Sequence, residues 1–283
     1  MREFLENFQH IDPIALRIGP VAVHWYGVGY LIAFLAAFLL MRHYVRRWQL
    51  DMSVDDATTI LLGAILGTFL GGRLGYCLFY DPVYFLTHPV AIVDFWHGGI
   101  SGMSFHGGFI GIFLGGWIAA RIVKFPVLRL ADLGSIGAPV GFGLVRIANF
   151  INGELWGRPS TLPWAIVFPD APLVAGVNVT RHPSQLYEAL LEGAVLLVLM
   201  LILAHRTPPR PQGQLFGWLT LFYGVFRIAV EFVREPDAHI GFLGAAGGTG
   251  WLTMGMVLSL PMVVGGIILI CWTAKRGQKE IRA

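Results

Sequence analysis

Gly143-Leu-Val-Arg-Ile-Ala-Asn-Phe-Ile-Asn-Gly-Glu-Leu-Trp-Gly-Arg158 carries Arg146, Asn149, Asn152 and Glu154 out of an otherwise apolar, glycine-rich run. With the apolar residues before it, from position 131 on, the run is long enough to cross roughly 30 Å of hydrocarbon as a helix. A charged side chain at the bilayer centre costs about 3 kcal/mol on insertion scales, so an arginine kept at that depth needs a partner, a cavity or a ligand. The run reads as one end of a membrane span and as the first place to look for function.

The rest of the chain agrees with a membrane setting. Of 283 residues, 55% are hydrophobic and 13% charged, and the mean hydropathy of +0.66 excludes a soluble globule. The net charge of +3 would suit nucleic acid, but the basic residues are spread over short loops with no stripe or recognition motif. No nucleic-acid partner is expected. Cys77 and Cys271 each sit in an apolar run and read as small packing residues. The first apolar run follows a mixed-charge stretch without a cleavage motif and reads as a retained span.

Seven apolar runs predict transmembrane helices over 21–41, 58–80, 105–123, 131–151, 185–204, 214–233 and 251–273. The expected fold class is therefore an all-α integral membrane protein, a single polytopic domain over residues 1–283. The fourth run, interrupted by Gly134, Gly137, Pro139, Gly141 and Gly143, is expected to be short or partly irregular. Counted by alternate loops, twelve Lys and Arg fall on one side and five on the other. The positive-inside rule then puts the amino terminus outside and the carboxyl terminus in the cytoplasm. Residues 152–184, proline-rich and with the β-prone run Trp164-Ala-Ile-Val-Phe168, predict a small ordered periplasmic cap between helices 4 and 5.

On that topology the polar residues of the spans gather in the outer half: Tyr26, Arg73, His106, Arg146, Asn149, Glu188, Arg227, Glu231 and Arg234. Arg227, Glu231 and Arg234 lie on one helical stripe, with the acid between two guanidinium groups. Structural ion pairing between helices is one reading of such residues. The other is an anion site, because the arginines face few acids (Glu154, Glu188, Glu192, Glu231) and guanidinium forks suit phosphate. A phosphate reached from the outer leaflet points to a phospholipid head group. His106, between glycines at the mouth of the third span, reads as a capping residue or as a general base. The sequence has no P-loop, dinucleotide fingerprint or Cys/His cluster at metal spacing, so no cofactor or metal is expected.

These motifs carry a resemblance. His24-Trp-Tyr-Gly27, Ser104-Phe-His-Gly-Gly108, Arg146 to Arg158, His182-Pro-Ser-Gln-Leu-Tyr-Glu188 and Arg227-Ile-Ala-Val-Glu-Phe-Val-Arg-Glu-Pro-Asp237, in that order, make the chain resemble bacterial prolipoprotein diacylglyceryl transferases over essentially its whole length. The resemblance implies an inner-membrane enzyme whose partners are phosphatidylglycerol and preprolipoprotein signal peptides with a lipobox cysteine. It would move the diacylglyceryl group onto the cysteine thiol, form a thioether and release glycerol phosphate. The nucleophile would then belong to the substrate. The resemblance also implies catalytic roles for His106, Arg146 and Arg227, with Tyr26, Asn149, Glu154, Gly157, Glu231 and Arg234 shaping the substrate site.

Two rival readings remain at this level. Gly99-Ile-Ser101-Gly102 matches the Gly-x-Ser-Gly pattern of rhomboid-like intramembrane proteases, a four-residue signal. Buried polar residues also suit a transporter, although transport sites lie near the midplane between repeats and no repeat is visible.

Overall fold

The computed structural model describes residues 11–19, 21–93, 102–236, 241–243 and 250–282. The serine of the Gly-x-Ser-Gly match, Ser101, lies outside them. A hairpin of β1 (Ile14–Ile18) and β2 (Val21–His24) leads into α1 (Trp25–Arg47). Then come α2 (Val54–Phe79), the short α3 (Pro82–Thr87), α4 (Phe105–Ile122) and α5 (Val127–Ile151). After a segment holding β3 (Ile166–Val167) and β4 (Thr180–Arg181) follow α6 (Ser184–Ala204), α7 (Gln214–Glu231) and α8 (Met254–Arg282).

Six of these helices, α1, α2, α4, α5, α6 and α8, are long and apolar enough to cross a membrane. Helix is the form such segments take in lipid, because it satisfies every backbone N–H and C=O internally. α7 covers the sixth run, but Gln214, Arg227 and Glu231 lower its hydropathy. The first run begins later than its composition suggests, since residues 21–24 pair as a strand and the helix opens at Trp25.

The expectation of a short or irregular fourth span is corrected: α5 is one continuous helix with Pro139 inside it. Its glycines are not breaks but contact points, because a residue without a side chain lets another helix approach. A Cβ at Gly137 would lie 2.7 Å from the Ala37 backbone, and one at Gly193 of α6 would lie 2.7 Å from Gly143. The irregularity sits in α6 instead, where Ala189–Val195 is π-helical, a form that tends to occur at functional sites.

Two compact units can be distinguished, Met41–Leu130 and the remainder, Met1–Leu40 with Ala131–Ala283. In the first, α2 and α4 are in backbone contact along Gly63, Gly67, Gly71 and Gly75 on one side and Gly107, Gly111 and Gly115 on the other. A Cβ at Gly111 would stand 2.0 Å from the Gly67 carbonyl oxygen. Composition alone does not reveal this stripe; its four-residue spacing does. Gly111→Leu should force the helices apart and cost about 3 kcal/mol or more, read as lost thermal stability in detergent; an unchanged melting curve would contradict the close packing. Within the same unit Arg73 donates to the carbonyls of Ile92 (2.9 Å), Ala91 (2.6 Å) and Gly102 (3.2 Å), with its guanidinium over the Phe85 ring.

In the other unit α7 is started by a side chain from α5. Asp132, fully buried, accepts hydrogen bonds from the backbone of Gly213 (2.8 Å), Leu215 (2.9 Å) and Phe216 (3.2 Å). It satisfies amides that a helix start leaves without partners. Residues 152–183 form a small folded segment: β3 pairs with β4, and Ile166, Phe168 and Ala171 pack with Phe150 at the end of α5.

Candidate active site

The end of α5 places the first group of polar side chains. Gly153, at φ +67°, terminates the helix, with Gly153 N–H donating to the Phe150 carbonyl (3.1 Å) and Glu154 N–H to that of Asn149 (3.1 Å). This paired pattern needs a left-handed residue, which glycine adopts without steric cost. It folds Glu154 back over Asn149. The Tyr26 hydroxyl donates to Glu154 Oε1 and receives a hydrogen bond from Asn149 Nδ2. Asn149 Nδ2 (3.3 Å) and Asn152 Nδ2 (3.2 Å) also donate to that carboxylate oxygen.

The second group is an ion cluster built on α5, α6 and α7. Backbone contact at Gly143 and Gly193 brings α5 against the π-helical turn. Arg146 then reaches Glu188 Oε2 through Nε at 2.8 Å and donates to Asn149 Oδ1 through Nη1 at 3.4 Å. Arg227 takes the other Glu188 oxygen through Nη1 and binds Glu231 Oε1 through Nη2 at 2.5 Å. Arg234 lies 3.3 Å from Glu231 and 3.7 Å from Glu188. Thr253, just before α8, donates to Glu231 Oε2 at 2.6 Å, and Gly255 packs so close to this carboxylate that a Cβ there would be 2.4 Å from it. Glu188, Glu192 and Glu231 are buried, whereas Arg146 and Arg227 keep 17% and 12% of their side chains accessible. The acids are thus buried, while the two arginine side chains paired with them keep part of their surface accessible.

Three guanidiniums meet three carboxylates in this cluster, so the surplus of positive charge expected from the sequence is not present in the formal count. Arg73, which the sequence reading counted with these arginines, belongs to the other unit, where it donates to backbone carbonyls.

Gly157 acts through its backbone. Its N–H donates to the His182 carbonyl at 2.9 Å, and a Cβ would collide with His182 (2.6 Å) and the Val233 carbonyl (2.7 Å). The next residue, Arg158, donates through its backbone N–H to Val233 and through its guanidinium to the carbonyls of Arg234 and Glu231, each at 3.0 Å. These bonds tie the segment after α5 to the end of α7. Arg158, Glu192, Gln185 and Thr253 were not assigned roles from sequence. Gln185, whose side chain donates to the Glu154 carbonyl at 2.6 Å, was legible only as part of the His182-Pro-Ser-Gln run, and Glu192 only by its four-residue spacing from Glu188.

His182 is half-buried, and that burial, followed by the neighbouring Arg158 charge, pushes its imidazole below the usual histidine range. A depressed folded-state value means that the neutral form stabilises the fold, fully above the unfolded value of about 6.5 and progressively less as pH falls through the lower folded value. Melting temperature should therefore fall on acidification below about pH 6.5, and His182→Asn should flatten part of that fall; an identical acid limb in the variant would exclude His182 as its source.

His106 belongs to the other unit. It is exposed in the first turn of α4, beside the Phe105 ring, where Ser104 Oγ caps the helix by accepting from Gly107 N–H at 3.2 Å. The structure therefore brings Tyr26, Arg146, Asn149, Glu154, Gly157, Arg227, Glu231 and Arg234 together in one unit, with His106 in the second. Of the two cysteines, Cys77 is buried in α2 and Cys271 is exposed on α8.

Residues 13–272 match the family model described as prolipoprotein diacylglyceryl transferase. A protein of Bordetella avium (strain 197N) named phosphatidylglycerol–prolipoprotein diacylglyceryl transferase is 47% identical over 97% of this chain and 99% of its own length. Proteins of the same name from Geobacter sulfurreducens (45% identical, 95% of this chain and 98% of that one) and Pseudomonas fluorescens SBW25 (42% identical, 96% of each) extend the similarity.

Proposed function

We infer the reaction from the family to which this chain belongs, the prolipoprotein diacylglyceryl transferases. The chain is a multi-pass membrane enzyme that transfers the diacylglyceryl group of phosphatidylglycerol to a prolipoprotein, the first step of lipoprotein maturation. The acceptor we assign is the thiol of the lipobox cysteine in the signal peptide. Its sulfur attacks the glycerol carbon bonded to phosphate, a thioether C–S bond forms, and the carbon–oxygen bond breaks with its electron pair going to the departing glycerol phosphate. Neither cysteine of the enzyme takes part.

The observation that carries the site assignment is the sharing of one buried carboxylate, Glu188, by Arg146 and Arg227. It sets two guanidinium groups side by side before any ligand arrives. Donors fixed in advance and aimed at a leaving phosphate stabilise the charge that grows on it as the bond breaks. Tyr26, Asn149 and Glu154 form a hydrogen-bonded group that receives the head group, Gly157 keeps the neighbouring backbone close, and Glu231 and Arg234 hold Arg227 in place. We assign the thiol proton to His106, an exposed imidazole base in the first turn of α4, since a thiol reacts as its thiolate.

The topology we propose has seven spans, α7 included, with the amino terminus and the segment 152–184 on the periplasmic side of the bacterial inner membrane and the carboxyl terminus in the cytoplasm. The excess of Lys and Arg in alternate loops supports it. Purified protein in phosphatidylglycerol vesicles, given a lipobox peptide, should release glycerol phosphate as the peptide gains a diacylglyceryl mass, and a Cys→Ser peptide should stop both. Folded protein that yields neither product would sink the assignment.

A further inference from the structure

Glu192 is the carboxylate of the cluster that the proposed reaction leaves without a task. It is fully buried, and among the described residues neither of its oxygens receives a hydrogen bond. The nearest cation is Arg146, whose Nε is 3.7 Å from Glu192 Oε2 but 2.8 Å from Glu188. The π-helical turn that carries Glu192 holds it there by the backbone contact of Gly143 with Gly193. Around it stand Arg146 on α5, Glu188 one turn earlier on α6, Tyr223 and Arg227 on α7, and Arg234 beyond α7. Burying an ionised carboxylate without a hydrogen bond is unfavourable, and such a group tends to be neutral or closely paired.

The charge count supplies the second half of the argument. With all three glutamates ionised, the three arginines of the cluster are balanced in formal charge. With a proton on Glu192, the cluster carries one net positive charge, which matches the single negative charge of a phosphodiester. We propose that Glu192 is a positioning residue that takes up a proton from solvent when the phosphodiester of phosphatidylglycerol binds at Arg146 and Arg227, releasing Arg146 from a competing carboxylate. The inference rests on the proposed head-group site.

The test is a calorimetric titration of the full-length protein, in zwitterionic detergent, with a short-chain phosphatidylglycerol, from about pH 6 to about pH 9 and in two buffers of different ionisation enthalpy. The phosphodiester keeps one charge across that range. Linked uptake of one proton makes the dissociation constant rise toward about tenfold per pH unit on the alkaline side, and makes the measured heat depend on the buffer. Glu192→Gln, of the same shape, should lose both the slope and the buffer dependence. A wild-type affinity that is flat with pH and indifferent to the buffer overturns the inference without any variant, and so does a glutamine variant that keeps the wild-type slope. Absence of lipid binding by folded wild-type protein would overturn the head-group site itself, which keeps the two failures distinct.

Discussion

Arg146→Ala is expected to lower turnover by about 10²- to 10³-fold, the usual cost of removing one preorganised donor from a developing anion. The guanidinium has Nε on Glu188 and Nη1 on Asn149, so the side chain is already oriented when lipid arrives. Lysine at this position should recover little, because a point charge cannot reproduce two bonds in a planar fork. The loss should fall mainly on kcat, since the charge to be stabilised grows during bond breaking, whereas a residue serving only to bind lipid would raise KM. Glycerol phosphate release from vesicles over a range of lipid concentrations separates the two. Near-wild-type kcat in folded Arg146→Ala protein would remove the assigned role.

The second large effect is expected at Glu188. One carboxylate, with no accessible surface, is shared by Arg146 and Arg227, and Arg234 approaches it as well. Removing one partner of a buried ion pair costs about 3–5 kcal/mol, because the remaining charge is stranded. Glu188→Ala should therefore lose stability by that order and lose activity with it, even though Glu188 is not assigned to touch substrate. Activity and melting temperature of Glu188→Ala, Arg227→Ala and the double variant form a cycle. Strong non-additivity in stability is the expected outcome, and strictly additive losses would mean that the pair is not coupled.

Much of the candidate site was legible in the sequence because charge in an apolar run is conspicuous. Arg146, Asn149 and Glu154 stand out within one 16-residue run, and Arg227, Glu231 and Arg234 mark a helical stripe by spacing alone. The hairpin before α1 was not legible, since Val21-Ala-Val-His24 reads equally as the start of an apolar span. The continuity of α5 was not legible either. Glycine and proline break isolated helices, and only a close neighbour turns Gly137 and Gly143 into contact points. Arg73 shows the reverse: depth in a span marks an unusual residue without saying which partners it has, and only the structure shows it donating to the carbonyl groups of Ala91, Ile92 and Gly102.

By itself the sequence determined the class of the protein and which polar side chains stand out in its apolar runs. Hydropathy and span length are sums over local residues and need no partner to be read. Tertiary structure alone decided which charges neutralise one another. The contact of Gly143 with Gly193 brings Arg146 to Glu188 and Glu192, 42 and 46 positions away in the chain. Electrostatic energy depends on distance and burial, and neither is a property of a residue in its sequence. A cluster balanced in formal charge, with one carboxylate that receives no hydrogen bond among the described residues and arginines that stay partly accessible, exists only once the helices have packed.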